Sequence, residues 1–221
     1  GKTRIPNTVI HNAVDLNVYA PKPRSKGFST SSATKGGKKH RLVMVEGSLA
    51  GGLDVGLGWG VDLVETLHQT HPTELLIVGR IDERRKAEVL ANTNADIQFL
   101  GVVPRESIPD INRSADLYFS AEANPPCPNA VIEALACGTP VLGFNTGSLS
   151  ELVPPTAGRT VPYGGDVWKL EPPDIPALAQ AAQEILANKT EFSAAARAHA
   201  GENLGLELMV EKYLAFMEKF L

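Results

Sequence analysis

Glu133 is the single carboxylate in the run NPPCPNAVIEALACGTP, residues 124–140. Prolines 125, 126 and 128 stiffen the chain before it, while Gly138 and Pro140 close it. Asn129 is placed to cap a helix, so the pattern predicts one over Asn129–Cys137. Glu133 then lies within the first two turns, where its carboxylate can point back toward the preceding loop. Two kinds of chemistry suit that position. A carboxylate near a helix N-terminus stabilises the helix by ~0.3–1 kcal/mol. A carboxylate also accepts two hydrogen bonds, which is what the vicinal hydroxyls of a ribose require. The N–H groups of the same helix start can meet a phosphate. A nucleoside diphosphate needs both functions in one crevice, and binding of that kind is the favoured reading.

Three other stretches offer matching chemistry. GSLAGGLDVGLG (47–58) carries five glycines in twelve residues. Its Gly47, Ser48, Gly51 and Gly52 can bring backbone N–H groups close to an anion without Cβ obstruction. The spacing is neither GxGxxG nor GxxxxGK[ST], so a plain strand-to-helix turn stays open beside the phosphate reading. Arg80 follows the apolar run ELLIVG and is a fixed cation, open to a surface role or a place at the mouth of a crevice. Gly101, Val102 and Val103 follow IQFL, and their backbone can meet the edge of a flat base.

Other chemistries find little support. His11, His40, His68, His71 and His199 are scattered, each read as a surface residue, and no Ser/His/Asp constellation is visible. There is no HExxH and no Cys/His cluster, so no metal and no resident cofactor is expected. Cys127 and Cys137, if joined by a helix, stand roughly 12–15 Å apart at about 1.5 Å per residue, too far for a disulfide. Free thiols fit a reducing compartment. A net charge of −4 gives no basic surface for nucleic acid. No apolar run reaches the ~18 residues of a membrane span, and no export signal opens the chain, so a cytoplasmic location is expected.

The elements that must position these residues alternate. Apolar runs at 41–47, 74–79, 97–101, 116–120 and 141–145 are separated by helical patterns at 58–69, 81–93 and 105–114, the last interrupted by Pro109, and by the 129–137 helix. Short apolar runs alternating with helices predict an α/β domain, a Rossmann-like doubly wound parallel sheet with helices on both faces. Ligands of such sheets bind beyond the carboxyl ends of the strands, where all the candidates fall. Residues 1–21 read as the start of the domain or an interdomain segment, a short apolar strand and a polar turn. Residues 22–39, with six Lys/Arg among Ser, Thr and Gly, read as a flexible basic loop, with anionic lipid or phosphate contact as the functional alternative. Residues 40–221 read as one Rossmann-like nucleotide-binding domain with C-terminal helices. In the tail, Leu206, Met209, Val210, Tyr213, Leu214, Met217, Phe220 and Leu221 make an apolar stripe expected to cover the sheet, or in part to face a partner domain.

NPPCPNAVIEALACGTPVLGFNTGSLSELV resembles the C-terminal, donor-binding domain of GT-B glycosyltransferases, closest to the retaining enzymes of glycosyltransferase family four. VIHNAVDLNVYAP, LLIVG and IQFLGVVPRESIPDINRSADLYFS follow the family's order, and EALACGTPV is its most specific signal. The resemblance implies one half of a GT-B fold and transfer of a sugar from a nucleotide-diphosphate sugar, without metal, to an acceptor held by an N-terminal half. It implies two glutamates eight residues apart. The second, on the ribose, is Glu133; the first falls on Pro125, and Glu122, three residues earlier, is assigned its catalytic role. Asn129 and Ala130 occupy the family's backbone contacts to donor sugar or phosphate, and Thr146–Ser148 border the donor site. The family often neutralises the pyrophosphate with Arg and Lys; here the glycine loop carries no cation, so Ser48, the glycine amides and Arg80 are the substitutes. Expected partners are the donor, the missing acceptor half and, for the full enzyme, a peripheral membrane contact. Without the acceptor half, slow donor hydrolysis at most is expected. The alternatives are a GT-B-like scaffold that no longer catalyses, or a GT-B epimerase or phosphorylase.

Overall fold

The structure, a computed structural model, describes residues 7–22, 39–49 and 55–220. Each apolar run becomes a strand: β1 (His40–Ser48), β2 (Thr73–Arg80), β3 (Asp96–Gly101), β4 (Leu117–Phe119) and β5 (Val141–Phe144). Between them lie α1 (Val55–His68), α2 (Glu83–Ala91), α3 (Ile108–Ser114) and α4 (Asn129–Ala136). Then follow α5 (Leu149–Leu152), β6 (Gly158–Val161), α6 (Ile175–Ala187), α7 (Lys189–Asn203) and α8 (Leu206–Met217).

Among the described residues the sheet has six strands in the order β3-β2-β1-β4-β5-β6, all paired in parallel. The chain order reverses between β1 and β4, the switch point at which doubly wound sheets open a crevice. Strand alternation divides the core. Val43 and Tyr118 face α3, α4 and α7 with Ile111, Val131, Leu135 and Ala196. Leu42, Met44 and Phe119 face α1 and α6 with Leu57, Leu63, Leu178 and Ile185. Both faces are covered, which is why TELLIVG is buried from Thr73 to Gly79 and only Arg80 emerges.

The amino ends of the strands are tied by charge. Arg41 Nε donates to Glu74 Oε1 at 2.6 Å, and Arg41 N donates to Asp116 Oδ2 at 3.0 Å. Lys189 of α7 pairs with Asp116, and Lys39 pairs with Asp96. A buried charge is tolerated only with such partners, so this end is a closed structural network and leaves the carboxyl end for ligands.

Several expectations change. The strand foreseen within residues 1–21 is only an isolated bridge, Val14 with Gly205. Leu204 O and the Leu206 N–H take up the Val14 backbone groups at 3.0 and 3.1 Å, so the segment is pinned to the α7–α8 junction. Pro109 does not interrupt a helix; it sits in the first turn of α3, after a 3₁₀ turn at Arg105–Ser107, where its missing N–H costs nothing. β6 and α5, four residues each, were not anticipated. The apolar stripe of α8 does not cover the sheet: no residue of that helix is buried. α6 and α7 cover the two faces instead, and they contribute Leu178, Ile185, Ala196 and Ala200 to the core. Residues 23–38, most of the basic loop, lie outside the described residues.

Candidate functional site

α4 is the element around which the site is built. Val131, Ile132, Ala134 and Leu135 bury its inner face, and Gly138 ends it with φ +74°, the left-handed turn a glycine accepts readily. Asn129 is not the N-cap: Pro128 holds that position with an extended backbone and makes no side-chain cap bond. Asn129 is instead the first helical residue, and its Oδ1 accepts from Asn12 Nδ2 at 3.0 Å. The proline loop before it is held from β5, since the backbone N–H and the hydroxyl of Ser148 both donate to Pro125 O, at 2.8 and 3.1 Å. In the same turn the Thr146 hydroxyl is buried without a partner.

Glu133 is half-buried on the wall of a cavity of about 480 Å³. Val14, Tyr19, Arg105 and Asn129 line the same cavity. Burial raises the Glu133 pKa, opposed by a hydrogen bond from Tyr19 and by the charge of Arg105. Tyr19 is carried there by the N-terminal segment and held by α7: Arg197 Nη1 donates to Tyr19 O and to Ala136 O, both at 2.8 Å. The carboxylate thus keeps an acceptor face toward an open crevice, with a cation and a hydroxyl beside it.

A second carboxylate lies across the switch point. Glu46 ends the apolar part of β1, half-buried, and accepts the Ala121 N–H. Burial and the neighbouring Glu122 push its pKa up to about 7. Burial also raises Glu122. Beneath them the buried Tyr118 hydroxyl donates to Val45 O at 3.2 Å, and its pKa is raised by burial and then by Glu46, Glu122 and Glu133; all three carboxylates lie toward the carboxyl end of the sheet. α1 closes over it at Gly56, where a Cβ would stand 1.8 Å from Ala121 O.

The structure therefore brings Asn129 and Glu133 together on one wall and sets Glu122 beside Glu46. Ala130 packs against the core. Arg80, Gly101 and Val102 sit at the carboxyl ends of β2 and β3, with Arg80 and Val102 exposed, and none of the three lines the Glu133 cavity. Gly47 is exposed at the end of β1, and the backbone of Ser48 pairs with Arg80. Gly51 and Gly52 lie outside the described residues. No group of three or more His, Cys, Asp or Glu that could hold a metal ion occurs among the described residues. Sequence reasoning missed Glu46, Arg105 and Tyr19. Glu46 carried a signal, a charge closing the apolar run VMVEG; Tyr19 and Arg105 meet only through the fold.

Residues 41–188 match the family described as glycosyl transferases group 1. The chain is 30% identical over 89 residues to a 2-deoxystreptamine N-acetyl-D-glucosaminyltransferase of Streptomyces fradiae, covering 40% of this chain and 21% of that protein. It is similar in structure to a glycosyltransferase from Rickettsia africae ESF-5, with TM-score 0.75, 21% identity, and coverage of 96% of this chain and 56% of that one. It is also similar to Anabaena Alr3699/HepE in complex with UDP-glucose, with TM-score 0.72, 19% identity, and coverage of 96% and 57%. The chain thus spans about half the length of those two solved structures.

Proposed function

The chain belongs to the group 1 glycosyltransferases, and from that premise we propose that it is the donor-binding half of a retaining enzyme. That enzyme transfers a sugar from a nucleotide-diphosphate sugar to an acceptor bound by a second half. The observation that carries the reading is Glu133, a half-buried carboxylate on an open cavity at the carboxyl ends of a doubly wound sheet. Its two oxygens accept the vicinal ribose hydroxyls. The backbone at Gly101 and Val102 meets the base, and the N–H groups of Asn129 and Ala130 meet the donor phosphate or sugar. Gly47 and Ser48 at the end of β1 and Arg80 at the end of β2 are assigned to the diphosphate, together with Gly51 and Gly52 of the same glycine-rich stretch of sequence. Glu122 faces the donor sugar as the catalytic carboxylate. As the bond to the leaving nucleoside diphosphate breaks, negative charge grows on its phosphate and is met by fixed N–H dipoles, an electrostatic role rather than a nucleophilic one. The proposal requires no metal and no resident cofactor. That the solved Anabaena relative carries UDP-glucose supports a donor of this class.

Calorimetric titration with UDP, GDP and ADP in parallel tests it. One of the three saturates, and Glu133→Ala weakens it by about 1.5–3 kcal/mol, the scale of charged hydrogen bonds lost. An unchanged Kd in that variant sinks the ribose role. Pro125, at the place of the family's first glutamate, and the cation-free stretch GSLAGGLDVG favour a second reading, a scaffold that has kept the fold and lost the donor. That scaffold binds none of the three nucleotides.

A further inference from the structure

The cavity beside Glu133 has room for more than a ribose, since about 480 Å³ falls in the size range of whole small-molecule sites. Its lining has an apolar part and a charged part. Val14 and Val18 of the N-terminal segment and Leu206 of α8 supply the apolar wall. That wall is fixed in place, because the Val14 backbone bonds to Leu204 and Leu206, and Arg197 holds the Tyr19 carbonyl. The charged part comes from Asp15, from Glu133 of α4, and from the 3₁₀ turn that opens α3, which brings Arg105 and Glu106. Among the described residues the charged lining is thus three carboxylates, Asp15, Glu106 and Glu133, and one cation, Arg105. Like charges repel, so this lining disfavours a diphosphate inside the cavity. An uncharged nucleoside meets no such barrier.

We propose, resting on the donor-binding reading and deepening it, that this cavity takes the nucleoside part of the donor and that Arg105 selects its base. The guanidinium carries five N–H donors and no acceptor, so the base edge that faces it must offer acceptors. Uracil and guanine present carbonyl oxygens there; adenine has none and presents an amino group, itself a donor. The site therefore favours a uridine or guanosine diphosphate over an adenosine one. The place of Arg105 in the chain agrees with this role. Val102, whose backbone is assigned to the base, lies three residues before it, at most roughly 11 Å along the chain. Glu133 on the same cavity holds the ribose, so base and sugar are read from two neighbouring elements, the turn before α3 and the helix α4. The phosphates are left outside, toward the ends of β1 and β2.

Calorimetric binding of UDP, GDP and ADP to the chain, to Arg105→Ala and to Arg105→Gln tests this. Arg105 is exposed, so both variants keep the fold. UDP or GDP is expected to bind the chain at least about tenfold more tightly than ADP, the discrimination that one well-made pair to a base edge provides. In Arg105→Ala that gap closes to about threefold or less, through loss of the preferred nucleotide while ADP holds its affinity. Arg105→Gln, whose amide both donates and accepts, binds ADP at least as tightly as the other two. A chain that binds ADP as well as the others, or either variant with the selectivity of the chain, overturns base selection and leaves the donor reading standing. An equal loss of all three nucleotides in Arg105→Ala does the same, because it marks a phosphate contact. Failure of all three to bind the unsubstituted chain overturns both.

Discussion

Glu133 and Glu46 are both half-buried carboxylates at one end of the sheet, and they differ in what offsets their burial. Glu133 has the Tyr19 hydroxyl and the Arg105 guanidinium; Glu46 has one backbone N–H and a like charge. The consequence is a stability that depends on pH. Raised from 4.5 to about 7 in the fold, Glu46 contributes stability that is fully present below pH 4.5 and lost as pH rises through 7. The difference is up to about 3 kcal/mol between those limits. Glu46→Gln removes it. Thermal unfolding is expected to show the variant melting several degrees above the parent near about pH 8 and level with it near about pH 5. Equal melting at both pH values contradicts the assignment. Glu133 was legible in the sequence because a lone charge inside an apolar helical run demands a reason. Glu46 carried the same kind of signal at the end of VMVEG, beside a glycine run that drew the reading toward the backbone. Arg105 and Tyr19 had none, since their partnership depends on the N-terminal segment folding back onto α4.

The elements were legible wherever packing agreed with local pattern. Strands buried on both faces read as short apolar runs, and the alternation with helices set the parallel, doubly wound class. β6 escaped because GRTV is a partly exposed edge strand without an apolar run, and α5 because a single turn carries no periodicity. Pro109 reads as a breaker by local pattern alone; the 3₁₀ turn before it makes it a helix start. The most consequential element for the site is α1, whose first turn is packed so closely on Ala121, just beyond β4, that Gly56 leaves no space for a side chain. Gly56→Ala is expected to push α1 away from Ala121 and to cost about 1–3 kcal/mol, the usual scale of overpacking. Chemical denaturation measures that loss, and nucleotide affinity is expected to fall with it. A variant as stable as the parent contradicts the close approach.

At the scale of the whole molecule, the two ends of the sheet have different tasks. The amino end is bound by Arg41, Glu74, Asp116 and Lys189, and the carboxyl end holds the crevice. The stripe of α8 shows the limit of periodicity: the pattern identified an apolar face correctly and misplaced what covers it. Leu214 is 57% and Met217 60% exposed, which suits the second half that the proposed function requires. The central claim is that a nucleoside diphosphate occupies the carboxyl end, between the ends of β1 and β3 and the start of α4. The most direct test is to titrate the nitrogen-15-labelled chain with UDP, GDP and ADP and to follow the backbone amides. Saturable shifts concentrated at Gly101, Val102, Asn129, Ala130 and Glu133 are predicted for one of the three. Shifts gathered instead at the amino end, around His40, Thr73, Asp96 and Asp116, or no shifts with any of them, would contradict the account.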